Sequence, residues 1–576
     1  MASELDRRMD AVMAALTGDG GQLPLGRVER FGRTLPMIAA APPTLPAYFA
    51  HFCQQHRDVE FLVAGDERLR FGSVHDLATR AARALVTGYG VRRGDRVAIA
   101  ARNSPSWIVL YMAIIMAGGV ATLLNGWWQA EEMAAALDEV EVALVFADAP
   151  RARRLAAIPG GAAVRVEIFD DLQPIETALA EVLAHAEDDL GNGAGAVLPA
   201  LTGDDHATIL FTSGSTGRSK GALSTHRQVL QGTFNFLASA LMMMGIAAQD
   251  GALTGLQPAT LLNLPLFHVT AMVPTLLQSF AMGRKLVLMP KWDAEEAMRL
   301  IEREKVTYFV GVPLMSYEMV NHPERARYDL STVTDFAAGG APRPVEHVRR
   351  LDAELTGAPL IGYGLTETNA IGTGNWRSNY IAKPDSAGRA SAPLVELAIL
   401  ADDGTALPLR ATGEIGIRSA ANFQEYWGRP DDTAAAFTAD GFFRTGDLGY
   451  LDEDGYLFIV DRKKDIIIRG GENISCQEVE AALYAHPLVA EAAVFGLADA
   501  RYGEVPGAVV HLSEPGGVTC EDLLAFLAQH VAAFKVPARL WIEDAPLPRL
   551  GTEKIDKITL RRRYRAVAET EAAAAA

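Results

Sequence analysis

Cysteine and basic side chains are both scarce in this sequence. Of its 576 residues, 3 are cysteines, and 53 lysines and arginines are outnumbered by 71 aspartates and glutamates. Widely separated cysteines with no CxxC pair exclude a disulfide framework and a zinc knuckle. The net charge of −18 argues against a sequence-neutral nucleic-acid binder, because neutralising phosphates requires clustered lysines and arginines. We therefore expect no nucleic-acid partner.

The sequence also lacks a secretory signal, since its opening ten residues, MASELDRRMD, are polar and mixed in charge. One uncharged stretch, residues 103–130, approaches the length of a membrane span. A strand-like run precedes it and a glycine pair interrupts it, which favours a buried helix and strand over a span. We expect a cytoplasmic protein without an integral membrane span. Peripheral membrane contact and a homodimer both stay open.

Apolar residues make up 49% of the chain, which is enough to bury a large core. Helical and buried-strand patterns alternate along it. Ser73 and Asp76 predict the start of a helix that runs through Ala84, and Asp293 and Glu296 predict the start of another, before a strand-like run. Repeated units of this kind favour an α/β fold with doubly wound sheets.

The pattern changes near residue 461, where short strands give way to a mixed helical and strand region of the size of a small domain. We predict a large multi-subdomain N-terminal domain joined by a tight hinge to a small, mobile, mixed α+β domain. The predicted segments are a weakly structured extension over 1–45, the large domain over 46–463, the small domain over 464–565 and a disordered tail over 566–576.

The most informative segment is ATILFTSGSTGRSKGALSTH at residues 207–226. A strand pattern runs into a loop rich in Ser, Thr and Gly that ends near Lys220. Glycines let backbone N–H groups approach an anion, hydroxyls add donors and the lysine adds charge, so the loop suits nucleotide phosphates. It is not a Walker A loop, because Ser219 precedes the lysine and Gly221 follows it.

This loop resembles the phosphate-binding signature of AMP-forming, adenylate-producing enzymes, the superfamily of acyl-CoA synthetases, firefly luciferase and peptide-synthetase adenylation domains. The resemblance covers residues 48–563, because further motifs follow in the family's order. They are LPLFHV at 264–269, AAGGAPRP at 337–344, GYGLTETN at 362–369, RTGDLGY at 444–450, DRKKDIIIRGGENISCQEVE at 461–480 and PLPRLGTEKIDK at 546–557.

The resemblance implies which residues bind the nucleotide. Those expected to hold the phosphates of ATP are Thr212, Ser213, Gly214, Ser215, Thr216 and Lys220. Those expected around the adenine are Gly339, Gly340, Ala341, Gly362, Tyr363 and Gly364. Asp447 is expected to bind the ribose hydroxyls, with Arg462 nearby.

The resemblance also implies the catalytic residues: Lys554, His268, Thr366 and Glu367, the last as the Mg²⁺ ligand. Lys464 is expected to be the hinge, and Gly470 and Gly471 the entry to the thiol tunnel. Without the motifs, His268 would read as a core histidine and Lys554 as a surface residue. Four positions depart from the family pattern: Glu553 and Glu425 stand where glycine is usual, and Cys476 and Ser219 stand where proline is usual.

These residue types suit the chemistry of the family. A carboxylate that attacks the α-phosphate brings two anions together, so the site has to supply positive charge, which lysines and Mg²⁺ provide. A thiol then attacks the acyl adenylate and AMP leaves. Members of the family carry out the two steps by rotating the small domain. The expected cofactors are therefore ATP and Mg²⁺, with coenzyme A as co-substrate.

The acid is the least defined part of the prediction. Residues 233–290 are expected to line the acyl pocket, and their only charges are Asp250, Arg284 and Lys285. An apolar lining favours a medium-chain, long-chain or bulky hydrophobic acid. The function expected is that of an acyl-CoA ligase of such acids. Two alternatives stay open: an enzyme that passes the acyl group to a separate carrier protein, and a non-catalytic nucleotide- or acyl-binding homologue.

Overall fold

The computed structural model describes residues 2–158, 164–187, 197–212, 219–499, 501–550 and 554–575. The predicted phosphate-binding residues Ser213, Gly214, Ser215 and Thr216, together with Glu553, lie outside the described residues.

The strands, in chain order, are β1 Leu25–Arg30, β2 Arg33–Ile38, β3 Glu60–Ala64, β4 Glu67–Arg70, β5 Arg96–Ala100, β6 Val120–Leu123, β7 Leu144–Asp148, β8 Arg165–Phe169, β9 His206–Phe211, β10 Gly221–Thr225, β11 Ala259–Leu262, β12 Lys285–Leu288, β13 Tyr308–Gly311, β14 Asp335–Gly339, β15 Ala358–Gly364, β16 Gly372–Trp376, β17 Arg389–Ala390, β18 Glu396–Leu400, β19 Gly413–Arg418, β20 Glu425–Tyr426, β21 Phe443–Leu451, β22 Leu457–Arg462, β23 Ile467–Arg469, β24 Glu472–Ile474, β25 Val489–Asp499, β26 Gly503–Leu512 and β27 Arg539–Glu543.

The α-helices are α1 Glu4–Thr17, α2 Leu45–Gln55, α3 Phe71–Thr87, α4 Pro105–Met116, α5 Ala130–Glu139, α6 Ala149–Ala156, α7 Ile175–Ala178, α8 Ala180–Glu187, α9 His226–Gln249, α10 Val269–Ala271, α11 Gln278–Met282, α12 Ala294–Glu304, α13 Pro313–Asn321, α14 Val345–Glu354, α15 Arg377–Ala382, α16 Pro430–Ala436, α17 Cys476–Tyr484, α18 Cys520–Leu527 and α19 Lys557–Ala575. A π-helical turn spans Met272–Leu277, and short 3₁₀ turns span Arg325–Arg327, Thr366–Thr368 and Ala533–Lys535.

Two large sheets form the body of the molecule and confirm the predicted α/β fold. One has seven strands in the order β20-β10-β9-β6-β5-β7-β8, and the other has nine in the order β17-β16-β15-β14-β13-β11-β12-β3-β4. Most neighbouring strands in their centres run parallel. A third sheet, β18-β19-β21-β22, follows them in the chain.

The N-terminal segment is structured, so the prediction of a weakly structured extension over residues 1–45 is wrong. Ser3 and Asp6 form a capping box at the start of α1, and Met9 and Met13 are buried. The Asp6 carboxylate is also buried, and its hydrogen-bond partners come from much later in the chain. They are Asn379 Nδ2 at 3.0 Å and the Tyr456 hydroxyl at 3.0 Å, with Arg389 in an ion pair at 3.1 Å.

The uncharged stretch around residue 110 is a core element, as predicted. Every residue of α4 is buried, and β6 follows it in the seven-stranded sheet. One helix among the described residues, α9, is long and apolar enough to cross a membrane, but 72% of its most apolar window is buried inside the protein. It packs as an interior helix of the large domain.

The C-terminal unit has its own sheet and its own cores. Strands β24-β23-β26-β25 lie side by side, and β27 runs parallel to β26. Its apolar clusters draw only on residues from Ile467 onward. Helix α19 extends to Ala575, so residues 566–575, predicted to be a disordered tail, are helical.

Candidate active site

The two glycine-rich motifs of the nine-stranded sheet meet at the carboxyl ends of adjacent parallel strands. Gly339 ends β14 and pairs in register with Gly362 of β15. A Cβ atom built on Gly339 would lie 3.5 Å from the Gly362 carbonyl oxygen and 3.9 Å from the Thr270 methyl group. Gly340 follows with φ of +78°, a conformation that favours glycine. The strand ends thus form a bare backbone surface, as expected where a flat ring binds close to the chain.

An aromatic–acidic group lies beside this surface. The Tyr363 hydroxyl donates to Asp447 Oδ2 at 2.7 Å, and Arg462 Nε lies 3.3 Å from Asp447 Oδ1. Asp447 and Arg462 face each other in register across β21 and β22. Burial raises the pKa of Asp447, while Arg462 opposes that shift. The predicted ribose-binding pair and the predicted adenine-binding tyrosine are therefore in direct contact.

Glu367 is a buried carboxylate in the short 3₁₀ turn after β15, next to Thr366. Its Oε1 accepts a hydrogen bond from the Tyr426 hydroxyl at 2.7 Å. Burial raises the pKa of Glu367, and no lysine or arginine forms an ion pair with it in the part of the chain that the structure describes.

These features fit the predicted Mg²⁺ role of Glu367, because a buried carboxylate with no ion-pair partner suits a cation. Among the described residues no group of three or more His, Cys, Asp or Glu side chains could hold a metal. A single carboxylate ligand is typical of Mg²⁺, which keeps waters and substrate phosphates as its other ligands.

The two ends of the predicted phosphate-binding loop, Thr212 and Lys220, are hydrogen-bonded to each other. Thr212 N–H donates to the Lys220 carbonyl at 3.0 Å, and Lys220 N–H donates to Thr212 Oγ1 at 3.2 Å. The Lys220 ammonium lies 3.1 Å from Asp432 Oδ1 and 4.8 Å from the centre of the Tyr426 ring. Tyr426 in turn contacts Glu367, so the predicted phosphate lysine and the predicted metal ligand share one neighbour.

His268 caps the short helix α10. Its Nδ1 accepts the N–H of Thr270 at 3.3 Å, which leaves the proton of the neutral ring on Nε2. Burial and, secondarily, the nearby Lys554 lower the pKa of His268 to about 3. The ring is therefore a neutral hydrogen-bond donor at ordinary pH.

Lys554 comes from the C-terminal unit and reaches the glycine-rich surface of the large domain. A Cβ atom on Gly340 would lie 3.2 Å from its Cε and 3.5 Å from its Nζ. Burial, then Arg462, lower the pKa of Lys554 to about 8, and Asp447 opposes that shift. The lysine that would read as a surface residue in EKIDK is thus close to Gly340, Asp447, Arg462 and His268.

The remaining predicted residues divide into two groups. Ala341 follows Gly340 directly, and Gly364 is the last residue of β15. Lys464 lies in the turn between β22 and β23, and both burial and Arg462 lower its pKa. Gly470 and Gly471 form the turn between β23 and β24, which belongs to the C-terminal unit.

Sequence reasoning missed two polar residues at the site, Tyr426 and Asp432. Both lie in the segment YWGRPDDT, and strand β20 pairs with β10 through Tyr426 and Ala222. That pairing brings the segment to the phosphate-binding loop. The sequence did show an unusual run of acidic and aromatic residues in this segment. Nothing in the neighbouring sequence, however, indicated that the run contacts Lys220.

Two family comparisons match most of the chain. Residues 49–427 match the family described as AMP-binding enzyme, and residues 478–554 match the family described as AMP-binding enzyme C-terminal domain.

Curated relatives and solved structures agree with these matches. The chain is 34% identical over 503 residues to the long-chain-fatty-acid–CoA ligase FadD13 of Mycobacterium tuberculosis, covering 87% of this chain and 94% of that protein. It is 34% identical over 498 residues to a feruloyl-CoA synthase of Amycolatopsis sp., covering 85% and 93%. The o-succinylbenzoate coenzyme A synthetase of Bacillus subtilis, solved with ATP and magnesium ion, superposes with a TM-score of 0.73 at 26% identity, covering 90% of this chain and 99% of that chain.

Proposed function

The chain belongs to the AMP-binding enzyme family, and on that premise we propose that it is an AMP-forming acyl-CoA ligase of hydrophobic carboxylic acids. The observation that carries this proposal is the contact between Lys554 and Gly340 beside the Asp447–Arg462 pair. It brings a cation from the end of the chain to the surface expected to bind the nucleotide.

In the first step, an oxygen of the substrate carboxylate attacks the α-phosphorus of ATP, and the bond to the bridging oxygen of pyrophosphate breaks. Both reactants are anions, so approach and charge build-up require fixed positive groups. Lys554 supplies one near the reacting atoms and Lys220 supplies another at the leaving phosphates. Mg²⁺ held by Glu367 supplies further positive charge when bound.

Asp447 and Tyr363 would hold the nucleoside while this step proceeds. Asp447 is an acceptor for ribose hydroxyls, and its contacts to Tyr363 and Arg462 fix its orientation. The bare backbone of Gly339 and Gly340 lets adenine lie flat against the strand ends.

The acyl group is assigned to the apolar region that begins at His268. Helix α9, the π-helical turn and α11 surround that region, and Met242 and Met243 of α9 are buried among apolar side chains. Neutral His268 offers Nε2–H as a hydrogen-bond donor without a charge, which suits the uncharged acyl carbonyl of the acyl adenylate, a mixed anhydride, better than a free carboxylate. The relatives named for a long-chain fatty acid and for ferulate support a hydrophobic acid of either kind.

In the second step, the thiol of coenzyme A attacks the acyl carbon of the adenylate, the bond to the AMP oxygen breaks and the thiol proton goes to solvent or to the departing phosphate. The CoA ligases among the relatives favour this acceptor over a carrier protein. Magnesium and ATP in a structural neighbour support the same cofactors here. Cytoplasmic location is part of the proposal. It is compatible with the finding that, among the described residues, the long apolar helix α9 is mostly buried.

The proposal is tested by measuring pyrophosphate and AMP release with ATP, Mg²⁺ and a graded panel of acids, including long-chain fatty acids and ferulate, with and without coenzyme A. We expect multiple turnovers only with coenzyme A. Pyrophosphate release that ignores coenzyme A would instead favour a carrier-protein acceptor. No release with any acid, from protein that binds ATP, would contradict the enzymatic function.

A further inference from the structure

A second group of charged side chains lies behind the Lys554 loop, apart from the nucleotide site. It consists of Asp461 at the end of β22, Glu480 in α17 and Lys557 at the start of α19. We call these three residues the Lys557 cluster. The carboxylates of Asp461 and Glu480 are buried. None of the three takes part in the chemistry described above. Because burying a charged group costs more free energy than leaving it at the surface, their burial calls for another role.

Glu480 joins three elements of the C-terminal unit. Lys557 Nζ lies 2.6 Å from Glu480 Oε1, and the same oxygen accepts the N–H of Val494 at 2.7 Å. Burial by itself would lower the pKa of Lys557, but Glu480, Cys476 and Asp461 raise it, so its ammonium stays charged. The start of α19 is thereby fixed to α17 and to β25.

Asp461 joins the same helix to the large domain. Its Oδ2 accepts the N–H groups of Cys476 at 2.5 Å and Gln477 at 3.3 Å, the first residues of α17. Ser475 Oγ donates to the Val460 carbonyl at 2.7 Å. Carboxylates are favourable at helix N-termini, where backbone N–H groups lack partners. These bonds therefore connect residues on the two sides of the predicted hinge.

The Lys554 loop is joined to this cluster through the chain, because Lys554 lies three residues before Lys557. The Lys554 carbonyl accepts the N–H of Leu550 at 2.7 Å, and Asp556 N–H donates to the Pro548 carbonyl at 2.7 Å. Lys557 follows at once as the first residue of α19. Because the base of the loop is paired with itself, any shift of Lys557 also shifts Lys554.

We propose that Lys557 is a positioning residue for the first half-reaction. Its ammonium, paired with Glu480, fixes the start of α19 to α17. The bonds from Asp461 to the first N–H groups of α17 hold that helix against β22, and together these contacts keep Lys554 beside Gly340. Rotation of that unit about the hinge has to break the Asp461 and Ser475 bonds, so the cluster favours adenylation over thiol transfer. This inference rests on the proposed function.

The test is the variant Lys557→Met, which keeps the chain length of the side chain and removes its charge. We expect kcat for pyrophosphate release to fall about tenfold or more, since a misplacement of about 1 Å at a reacting group has effects of that order. The KM for ATP should not change, because the nucleotide contacts belong to the large domain. Thioester formation from supplied acyl adenylate should be retained. Lys557→Arg, which can still bind Glu480, should recover most of the lost kcat.

Arg563→Met is the matched control, since Arg563 lies on the same helix and pairs with Glu543 at 3.0 Å away from the cluster. It should leave both half-reactions unchanged. If Lys557→Met does not fold, Glu480→Gln removes the same charge pair while keeping an acceptor for Val494.

An equal loss of both half-reactions, accompanied by a lower unfolding temperature, would overturn the inference in favour of a purely structural role. Unchanged adenylation in Lys557→Met would also overturn it. Wild-type protein that releases no pyrophosphate with any acid would contradict the proposed function instead, so the two failures are distinguishable.

Discussion

The two ends of the C-terminal unit differ in what they face. At one end, Lys554 lies against Gly340 of the large domain. At the other, the Gly470–Gly471 turn packs within its own unit, where Gly470 N–H donates to the Tyr502 carbonyl at 2.7 Å. Only Lys554 reaches the surface that we propose binds the nucleotide. Under the proposed function, this orientation serves adenylation, and thiol transfer uses the Gly470–Gly471 turn.

Among the substitutions that test this comparison, Lys554→Ala should have the largest effect on a rate. We expect the rate of pyrophosphate release to fall about 10²-fold or more, the scale for losing a group that stabilises transition-state charge. Thioester formation from supplied acyl adenylate should persist, because that step does not use this end of the unit. A rapid-quench assay of each half-reaction measures both. An equal decrease in the two rates would remove the distinction between the ends.

Gly471→Leu should give the opposite result, with thioester formation reduced about tenfold and adenylation retained. In this orientation no atom lies within 4 Å of a Cβ at Gly471, so the added bulk meets nothing. Gly471→Ala is the control, because it shares the backbone cost of φ +95° but lacks the bulk. Normal thioester formation in Gly471→Leu would mean that the thiol enters elsewhere.

The two half-reactions should also differ in their pH dependence. Burial and Arg462 lower the pKa of Lys554 to about 8, so its charge is present below that pH and is lost above it. We expect kcat/KM for pyrophosphate release to decline as pH rises through about 8, by up to about tenfold per pH unit. Lys554→Arg should abolish that decline at whatever rate it retains. Thioester formation from supplied acyl adenylate should lack it too.

Tyr426→Phe should have the smallest effect and act on adenylation alone. The variant removes the hydroxyl that donates to Glu367 at 2.7 Å but keeps the ring beside Lys220. We expect the Mg²⁺ concentration for half-maximal pyrophosphate release to change a few-fold, since a typical hydrogen bond contributes a net free energy of about 0.5–1.5 kcal/mol. A titration with Mg²⁺ at saturating ATP measures this. An unchanged titration would argue against Glu367 as the Mg²⁺ ligand.

Much of the candidate site was predictable because its residues lie in motifs that resemble those of a known family and follow in the same order, and the structure pairs several of them in register. Gly339 meets Gly362 in register, and Asp447 meets Arg462 in the same way. The partner of Lys220 was not predictable. Asp432 is one of 71 acidic residues, and only the pairing of β20 with β10 brings it to the loop.

Helix starts show the same limit on a smaller scale. The predicted cap at Asp293 is confirmed, since its side chain accepts the N–H of Glu296. The predicted start at Ser73 is wrong, because α3 begins at Phe71, directly after β4. The end of β4 at Arg70, and not a capping side chain, sets the start of α3.

Helix α1 was missed for a reason of distance. Its sequence, ELDRRMDAVMAALT, holds enough apolar residues for a helix. What the sequence does not show is that Asp6 is held by side chains more than 370 residues away. No local pattern contains that information.

The anchoring of Asp6 has a consequence for biosynthesis. Its partners Asn379, Arg389 and Tyr456 leave the ribosome long after α1 does. At about 5–20 residues per second, the interval is on the order of tens of seconds. During that time the Asp6 carboxylate lacks these partners, so the attachment of α1 is complete only when the third sheet has been synthesised.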